Sequence, residues 1–488
     1  MVRSSALAFR HVAAALTLVA GMAAGQGAIA ASVPLATDIL PSGVPLPVPA
    51  PVFVPPPQDA STQLLGNAGG VRPWLAARGV QVTSQDVEEL WGLLAGGAHP
   101  GPTYDGMTAV ALSVDSKAAF GWEGGLFNIS ALQIRGRSFT GERLGALNPV
   151  SGYDAGRSTR LFELWYGQSF LHNQLDVRVG SIDLDTEFLV SQNASFFLNA
   201  SFGWPLSTSS NLYSGGPSWP YSAVGGRVKW TPVAPVVLMG AITDDNPTRG
   251  PFYSAIDPAQ RDPSGTTFST SGGTLFIGEV QLWLDAARRL AGKDAPALPG
   301  TWKLGALYDT GRFPDQRFDS QGGLLASPAS NGTPFYHRGN WLAYAVLDQT
   351  VWRRKKDSGK TINFFTRATV NDGTRNLVAV EVQSGFTFDE LLPGRPDDTI
   401  GIAWGAGFYG RRALQHARDA LRLGTSATGM LRPEHHVELT YQAAVTPWLI
   451  VQPDFQYFLH VGGVSGTSDN GRSLRHAVVT GLNVTTTF

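Results

Sequence analysis

The chain contains no cysteine among its 488 residues. Disulfide staples, cysteine-ligated zinc, thiol catalysis and a lipid anchor on cysteine are excluded. Charge is scarce as well. Asp, Glu, Lys and Arg make up 15% of residues, against about 25% in soluble proteins. Neither sign dominates, since the formal net charge is −1, and no nucleic-acid partner is indicated, because that needs a basic face. Beyond the first thirty residues, no apolar run reaches the roughly 20 residues of a spanning helix. A membrane form of this chain must therefore be a closed barrel, because lipid tolerates no unpaired backbone.

What is present is glycine, 57 residues of it, and a mean hydropathy of −0.04. Such a chain alternates apolar with small polar residues, as strands do when one side meets lipid and the other water. A large β-rich secreted protein shares this composition. Residues 1–30 read as a signal peptide: a basic start (Arg3, Arg10, His11), an apolar stretch from Val12 to Gly25, and Ala28-Ile29-Ala30 for cleavage. Residues 31–78 form a proline-rich periplasmic N-terminal segment. Its densest part, Val33 to Pro57, favours extended polyproline geometry. The barrel is expected over 79–488.

From Val80 onward, period-two runs rich in Val, Ile, Thr and aromatics alternate with turn signals. They fall near 80–94, 104–114, 126–135, 160–170, 175–182, 225–231, 236–242, 274–284, 301–310, 341–352, 361–370, 377–388, 399–409, 435–446, 449–459 and 475–488. An even number suits a bacterial single-chain barrel. Connections after the even-numbered runs are mostly short (171–174, 231–235, 353–360, 446–448). Those after the odd-numbered runs are often long (136–159, 183–224, 243–273, 311–340, 410–434). Short periplasmic turns and long external loops give this asymmetry. The helix-like run at 286–300 breaks the rule.

Single runs split into two faces. Val437, Leu439, Tyr441, Ala443 and Val445 oppose Glu438, Thr440 and Gln442. Phe162, Leu164 and Tyr166 oppose Glu163 and Trp165. Phe488 ends an alternating strand, and such a terminal aromatic is similar to the signal read by barrel-assembly machinery.

Three motifs carry weaker signals. Gly405-Ala406-Gly407-Phe408-Tyr409-Gly410 fits a dinucleotide fingerprint, but its neighbours are strands and not βαβ units. The glycines fit lumen-side positions better. Asp183-Leu184-Asp185-Thr186-Glu187 lacks the glycine and spacing of a calcium loop, and reads as a carboxylate cluster at a pore mouth. A weakly held Ca²⁺ at Asp183 and Asp185 is compatible with these donors; no other cofactor is expected. Glu434-His435-His436-Val437-Glu438 lacks zinc-site order.

Several runs resemble the OprB family of bacterial carbohydrate-selective porins. They include Leu132-Gln133-Ile134-Arg135-Gly136-Arg137, Thr159 to Tyr166 (TRLFELWY), Val177-Arg178-Val179-Gly180, Thr186 to Gln192 (TEFLVSQ), Phe202-Gly203-Trp204-Pro205 and Ser214-Gly215-Gly216-Pro217. The resemblance implies a sixteen-stranded outer-membrane pore passing mono- and oligosaccharides by diffusion, and no enzyme. Partners would be sugars, outer-membrane lipid and lipopolysaccharide, and the assembly machinery. The chain would act as a monomer or homotrimer. Alternatives are a general or anion-selective porin and a secreted β-rich carbohydrate-binding protein or enzyme.

The loop 183–224 is expected to fold inward as the constriction, with Asp183, Asp185 and Glu187 near its base. Facing strands would offer Arg160, Glu163, Arg178, Arg227 and Arg367, whose charges suit sugar hydroxyls. The strand phase of Arg160 is ambiguous against Glu163. Trp165 and Trp204 would stack on pyranose faces.

Overall fold

The computed structural model describes residues 60–488 apart from 234, 285–297, 355–358, 426–429 and 464–473. The signal-peptide and Val33–Pro57 readings lie outside the described residues, as does nearly all of the helix-like run at 286–300.

A sheet with one apolar face and unpaired edges removes both liabilities in lipid by closing on itself. The described strands do so. They are β1 (Val80–Gly96), β2 (Gly101–Asp115), β3 (Gly125–Gly136), β4 (Ser158–Phe170), β5 (Leu175–Ile182), β6 (Ala223–Val233), β7 (Val236–Asp244), β8 (Thr274–Trp283), β9 (Gly300–Asp319), β10 (Pro334–Arg353), β11 (Thr361–Asn371), β12 (Val378–Asp389), β13 (Thr399–Tyr409), β14 (Glu434–Thr446), β15 (Leu449–Leu459) and β16 (His476–Thr487). Each pairs antiparallel with its sequence neighbours, and β16 closes on β1 through Gln85 opposite Thr487. Phe488 donates its backbone N–H to Ser84 O at 2.9 Å, sealing the seam. No described helix is long and apolar enough to cross a membrane.

The outer wall is apolar and open. Leu304, Trp341, Ile402, Leu439, Phe455 and Leu482 are exposed. Water would not tolerate a belt of this kind around a whole molecule, whereas lipid favours it.

The inner wall departs from the simple polar expectation. Its β7–β10 sector is apolar (Met239, Ile277, Leu307, Leu342, Val346) and is covered by Leu184, Phe188, Leu189, Trp204 and Leu212 of the β5–β6 loop. A second apolar sector on β1–β4 (Val87, Met107, Leu132, Ile134, Phe162) packs against Tyr153 and Ala155 of the β3–β4 loop and Trp219 of the β5–β6 loop. The loops are thus pulled into the barrel by the hydrophobic effect, about 1.5–3 kcal/mol for each large side chain fully buried. Glycines of β13 make room for this. A Cβ at Gly401 would meet the Phe196 ring at 2.5 Å, and one at Gly407 would meet Leu206 Cδ2 at 2.9 Å. The run that fits a dinucleotide fingerprint is a seat for a loop.

Two details differ from the sequence reading. The connection 311–340 is mostly strand, because β9 and β10 continue to Asp319 and from Pro334. Twenty residues of strand span about 66 Å, far more than the 9–11 residues a membrane needs, so this hairpin stands beyond the bilayer. The helix Arg411–Leu423 packs on it through Arg317 Nε–Asp419 Oδ2 at 2.7 Å and an Arg412–Asp315 pair. The second difference is a bulge in β4 opposite Ile129 and Ala131. It turns Phe162 and Glu163 both inward, which also brings Arg160 into the interior.

One patch of the outer wall is charged. Arg135 reaches Asp86 at 2.9 Å and also pairs with Glu88, and its other donors reach Tyr104 Oη, Thr108 Oγ1 and Gln133 Oε1. Apolar outward positions flank the patch, Leu90 and Leu94 along the strand on one side and Val82 and Val110 on the other. All five guanidinium donors are thereby satisfied, the condition under which charge is tolerated away from water. Arg135→Ala would strand two carboxylates against lipid and cost about 3 kcal/mol. The folded band on unheated SDS gels is expected to convert at a clearly lower temperature; an unchanged conversion temperature would refute the role.

Candidate functional site: the loop-lined constriction

The β5–β6 loop crosses the lumen because its backbone finds partners on strands all around the barrel. Asp348 of β10 accepts from Ser191 Oγ (2.6 Å) and the N–H groups of Gln192 and Asn193 (both 3.2 Å). Glu381 of β12 accepts from the N–H groups of Leu206 (3.2 Å) and Ser207 (2.7 Å). Glu438 of β14 accepts from those of Leu198 (2.6 Å) and Asn199 (3.0 Å). Arg367 of β11 supplies the opposite polarity, donating to the carbonyls of Leu189 (2.7 Å), Gly203 (2.8 Å), Ser201 (2.6 Å) and Phe202 (2.9 Å). The β3–β4 loop is held likewise: Glu434 accepts from the N–H groups of Leu147 (3.0 Å) and Asn148 (2.9 Å). A loop inside a barrel must satisfy its backbone groups somewhere, and these lumen charges do it with charge-assisted bonds.

The expected site residues divide into three groups. Arg178, Arg227 and Glu187 form one cluster: Glu187 lies 2.7 Å from Arg178 Nη1 and 2.7 Å from Arg227 Nε. The Arg178 guanidinium stacks 4.3 Å over Trp165, whose Nε1 donates to Glu163 at 3.1 Å. Asp176, which the sequence reading missed, pairs with Arg227. Asp183 is buried at the base of the loop and accepts from Thr186 N at 3.2 Å. The second group lies apart from this cluster and faces no open lumen. Arg367 is 1% exposed, with its donors engaged by the loop and Gln383. Arg160 is also buried, donating to Asp262 O at 3.1 Å beneath the ring of Tyr221 at 4.6 Å. The third group, Asp185 and Trp204, lines the open passage. Among the described residues no group of three His, Cys, Asp or Glu side chains is placed to hold a metal ion.

That passage is a cavity of about 360 Å³. It runs from Asp154 and Asp257 on external loops, past Phe197, Trp204, Trp219 and Tyr221 of the crossing loop, to Gln442, Ile450 and Thr485 near the periplasmic ends of β14–β16. Tyr153 and Trp219 meet edge-to-face at 5.8 Å on one wall. Asp185 accepts from Trp219 N at 3.0 Å. Burial first, and then the neighbouring Asp183, hold the Asp185 carboxyl well above the usual carboxylate range. Sequence reading named two of these lining side chains. The rest come from elsewhere in the crossing loop, from the β3–β4 and β7–β8 loops, and from inward positions of β14–β16, where only alternation hinted at a lumen.

A closed barrel with an apolar outer wall and one loop narrowing its lumen defines a diffusion channel of the bacterial outer membrane, a porin. Residues 99–488 match the family described as "Carbohydrate-selective porin, OprB family", and the chain belongs to that family. It is similar to Porin B of Pseudomonas aeruginosa, 26% identical over 464 residues covering 88% of this chain and 92% of that protein. It is also similar to Putative porin QuiX of Acinetobacter baylyi, 24% identical over 427 residues, 83% and 90% of the two chains. The high-pH structure of Pseudomonas putida OprB shares the fold, with a TM-score of 0.76 and 23% identity over 88% of this chain and 99% of that one. The protein is an outer-membrane porin for the diffusion of carbohydrates.

Proposed function

We propose that selectivity for sugars arises in the passage between the crossing loop and β14–β16, and that the chain carries out no catalysis and needs no cofactor. The observation that carries this reading is the lining: the Trp204, Trp219, Tyr153 and Tyr221 rings beside the amides of Gln442, Gln452 and Asn483 and the hydroxyls of Ser209, Ser218 and Thr485. Rings offer a flat apolar surface to the C–H face of a pyranose, and amides and hydroxyls exchange hydrogen bonds with its rim. A solute shedding water in the narrows finds replacements for both. Asp185 and Trp204 keep their sugar-facing roles here. Arg178, Arg227, Glu163, Trp165, Asp183 and Glu187 act one step removed, as a charged buttress under the base of the loop. Arg160 and Arg367 position loops.

The remaining partners follow from the same geometry. The apolar wall takes lipid and lipopolysaccharide. Phe488 at the β16–β1 seam is the residue that assembly machinery would read. Each chain closes its own barrel, which suits a monomer and a homotrimer alike. Proteoliposome swelling tests it. Glucose is expected to enter several times faster than a neutral amino acid or polyol of equal size, and Trp204→Ala to erase most of that preference. Uptake governed by size alone would leave a general porin.

A further inference from the structure

The passage has three acidic side chains in its lining, Asp154, Asp185 and Asp257, and among the described residues no basic one, Lys, Arg or His, faces them across it. Most of the cations that the lumen does hold are engaged elsewhere, and Lys229, beside the Arg178–Glu187–Arg227 cluster, lies outside the lining of the passage. Arg367 binds loop carbonyls, Arg178 and Arg227 pair with Glu187, and Arg160 lies beneath Tyr221 beside Asp262, 3.9 Å from its carboxylate. Arg261 donates to the hydroxyls of Ser214 and Thr248, one layer behind the wall. A solute in the narrows therefore touches carboxyls and rings first and cations only through an intervening side chain.

We infer that the constriction sorts carbohydrates by charge, passing neutral and amino sugars and rejecting acidic sugars such as uronates and aldonates. This rests on the reading of the passage as the sugar path. The physical cause is twofold. Like charge in a narrow, weakly screened space repels an entering anion, while an ammonium group finds carboxylates and aromatic faces to rest on. A carboxylate solute also finds no guanidinium or ammonium to replace the water it sheds.

The test is proteoliposome swelling at pH 8 and low salt with glucose, glucosamine and glucuronate, three solutes of one size. Alkaline pH is chosen because burial raises both Asp154 and Asp185. Asp154 is faced by Thr140, Ser138 and Glu142 and by Asp105 of β2, and Asp185 by Asp183 and the Trp219 N–H, with Glu163 and Arg178 behind Asp183. Glucose and glucosamine are expected to enter at similar rates and glucuronate about ten-fold more slowly. Replacing all three aspartates by asparagine should bring glucuronate to within about two-fold of glucose. Asparagine keeps the oxygen that accepts from Trp219 N, and it keeps the helix cap that Asp257 makes to Ala259 N. Should the triple variant fail to fold, Asp257→Asn alone, at an exposed site, should still speed glucuronate about two-fold and lower the cation preference read from the reversal potential in a KCl gradient. Equal entry of glucose and glucuronate into wild-type vesicles overturns the inference and leaves the sugar channel standing. Slow glucuronate entry that the aspartate variants do not relieve also overturns it. Vesicles that admit no glucose overturn the channel reading itself.

Discussion

Arg367→Ala is expected to widen the pore. Single-channel conductance should rise at least about two-fold, because a sixteen-stranded barrel without its loop is an open aqueous channel. The loop runs from β5 to β6, and Arg367 stands across the lumen on β11, gathering the carbonyls of four loop residues with one planar group. A guanidinium presents its donors in a fixed fork, so no other side chain can reach these acceptors at once. Removing it orphans the carbonyls and opens a void between Phe202, Phe365 and Gln383. Each buried acceptor left unmade costs about 1–3 kcal/mol, enough in sum to release this part of the loop. The barrel itself should survive, because β11 keeps its ladders to β10 and β12. Arg367→Lys restores charge but not the fork and should recover only part of the wild-type conductance. Unchanged current in Arg367→Ala would show that the loop does not depend on this anchor.

The second large effect is expected at Glu438. This carboxylate accepts from two consecutive backbone N–H groups, Leu198 and Asn199, where the loop turns along β14 beside the passage. Glu438→Ala leaves both donors without a partner and removes the carboxyl that holds the passage wall in place. The wall formed by Phe196, Phe197 and Leu198 should then shift, and glucose block of the current should weaken several-fold while total conductance changes little. Glu438→Gln keeps one acceptor oxygen and should fall between wild type and Glu438→Ala. The contrast with Arg367→Ala is the informative part, since one anchor governs how far the loop closes the lumen and the other shapes the sugar path. Equal glucose block in Glu438→Ala and wild type would refute the assignment.

The strands were legible in the sequence because a barrel strand writes its two environments into alternate residues. In β14, Val437, Leu439 and Tyr441 meet lipid while Glu438 and Thr440 meet the interior, and no tertiary knowledge is needed to see it. The extended β9–β10 hairpin was not legible, because Thr310 to Asp319 stands beyond the bilayer and has no lipid face to display. The β4 bulge was not legible either. An inserted residue shifts the phase silently, and the conflict between Arg160 and Glu163 was its only trace.

The site was less legible than the fold for a related reason. Lumen charges look alike along a strand whether they face water or a loop. Glu381, Glu438 and Arg367 find their partners 160 or more residues away in the chain. Only closure of the barrel shows that they hold backbone and not solute. Trp204 stood out within the Phe202-Gly203-Trp204-Pro205 run, and Asp185 within the Asp183–Glu187 carboxylate cluster. Tyr153 gave no such signal, because its loop is unremarkable until it is packed against Trp219.

The most direct test of a carbohydrate path through the loop-lined passage is the single-channel current of the purified wild-type protein in a planar bilayer while glucose is titrated. Saturable closure of the current by glucose, lost in Trp204→Ala, is the expected result; a current indifferent to glucose at every concentration would contradict it.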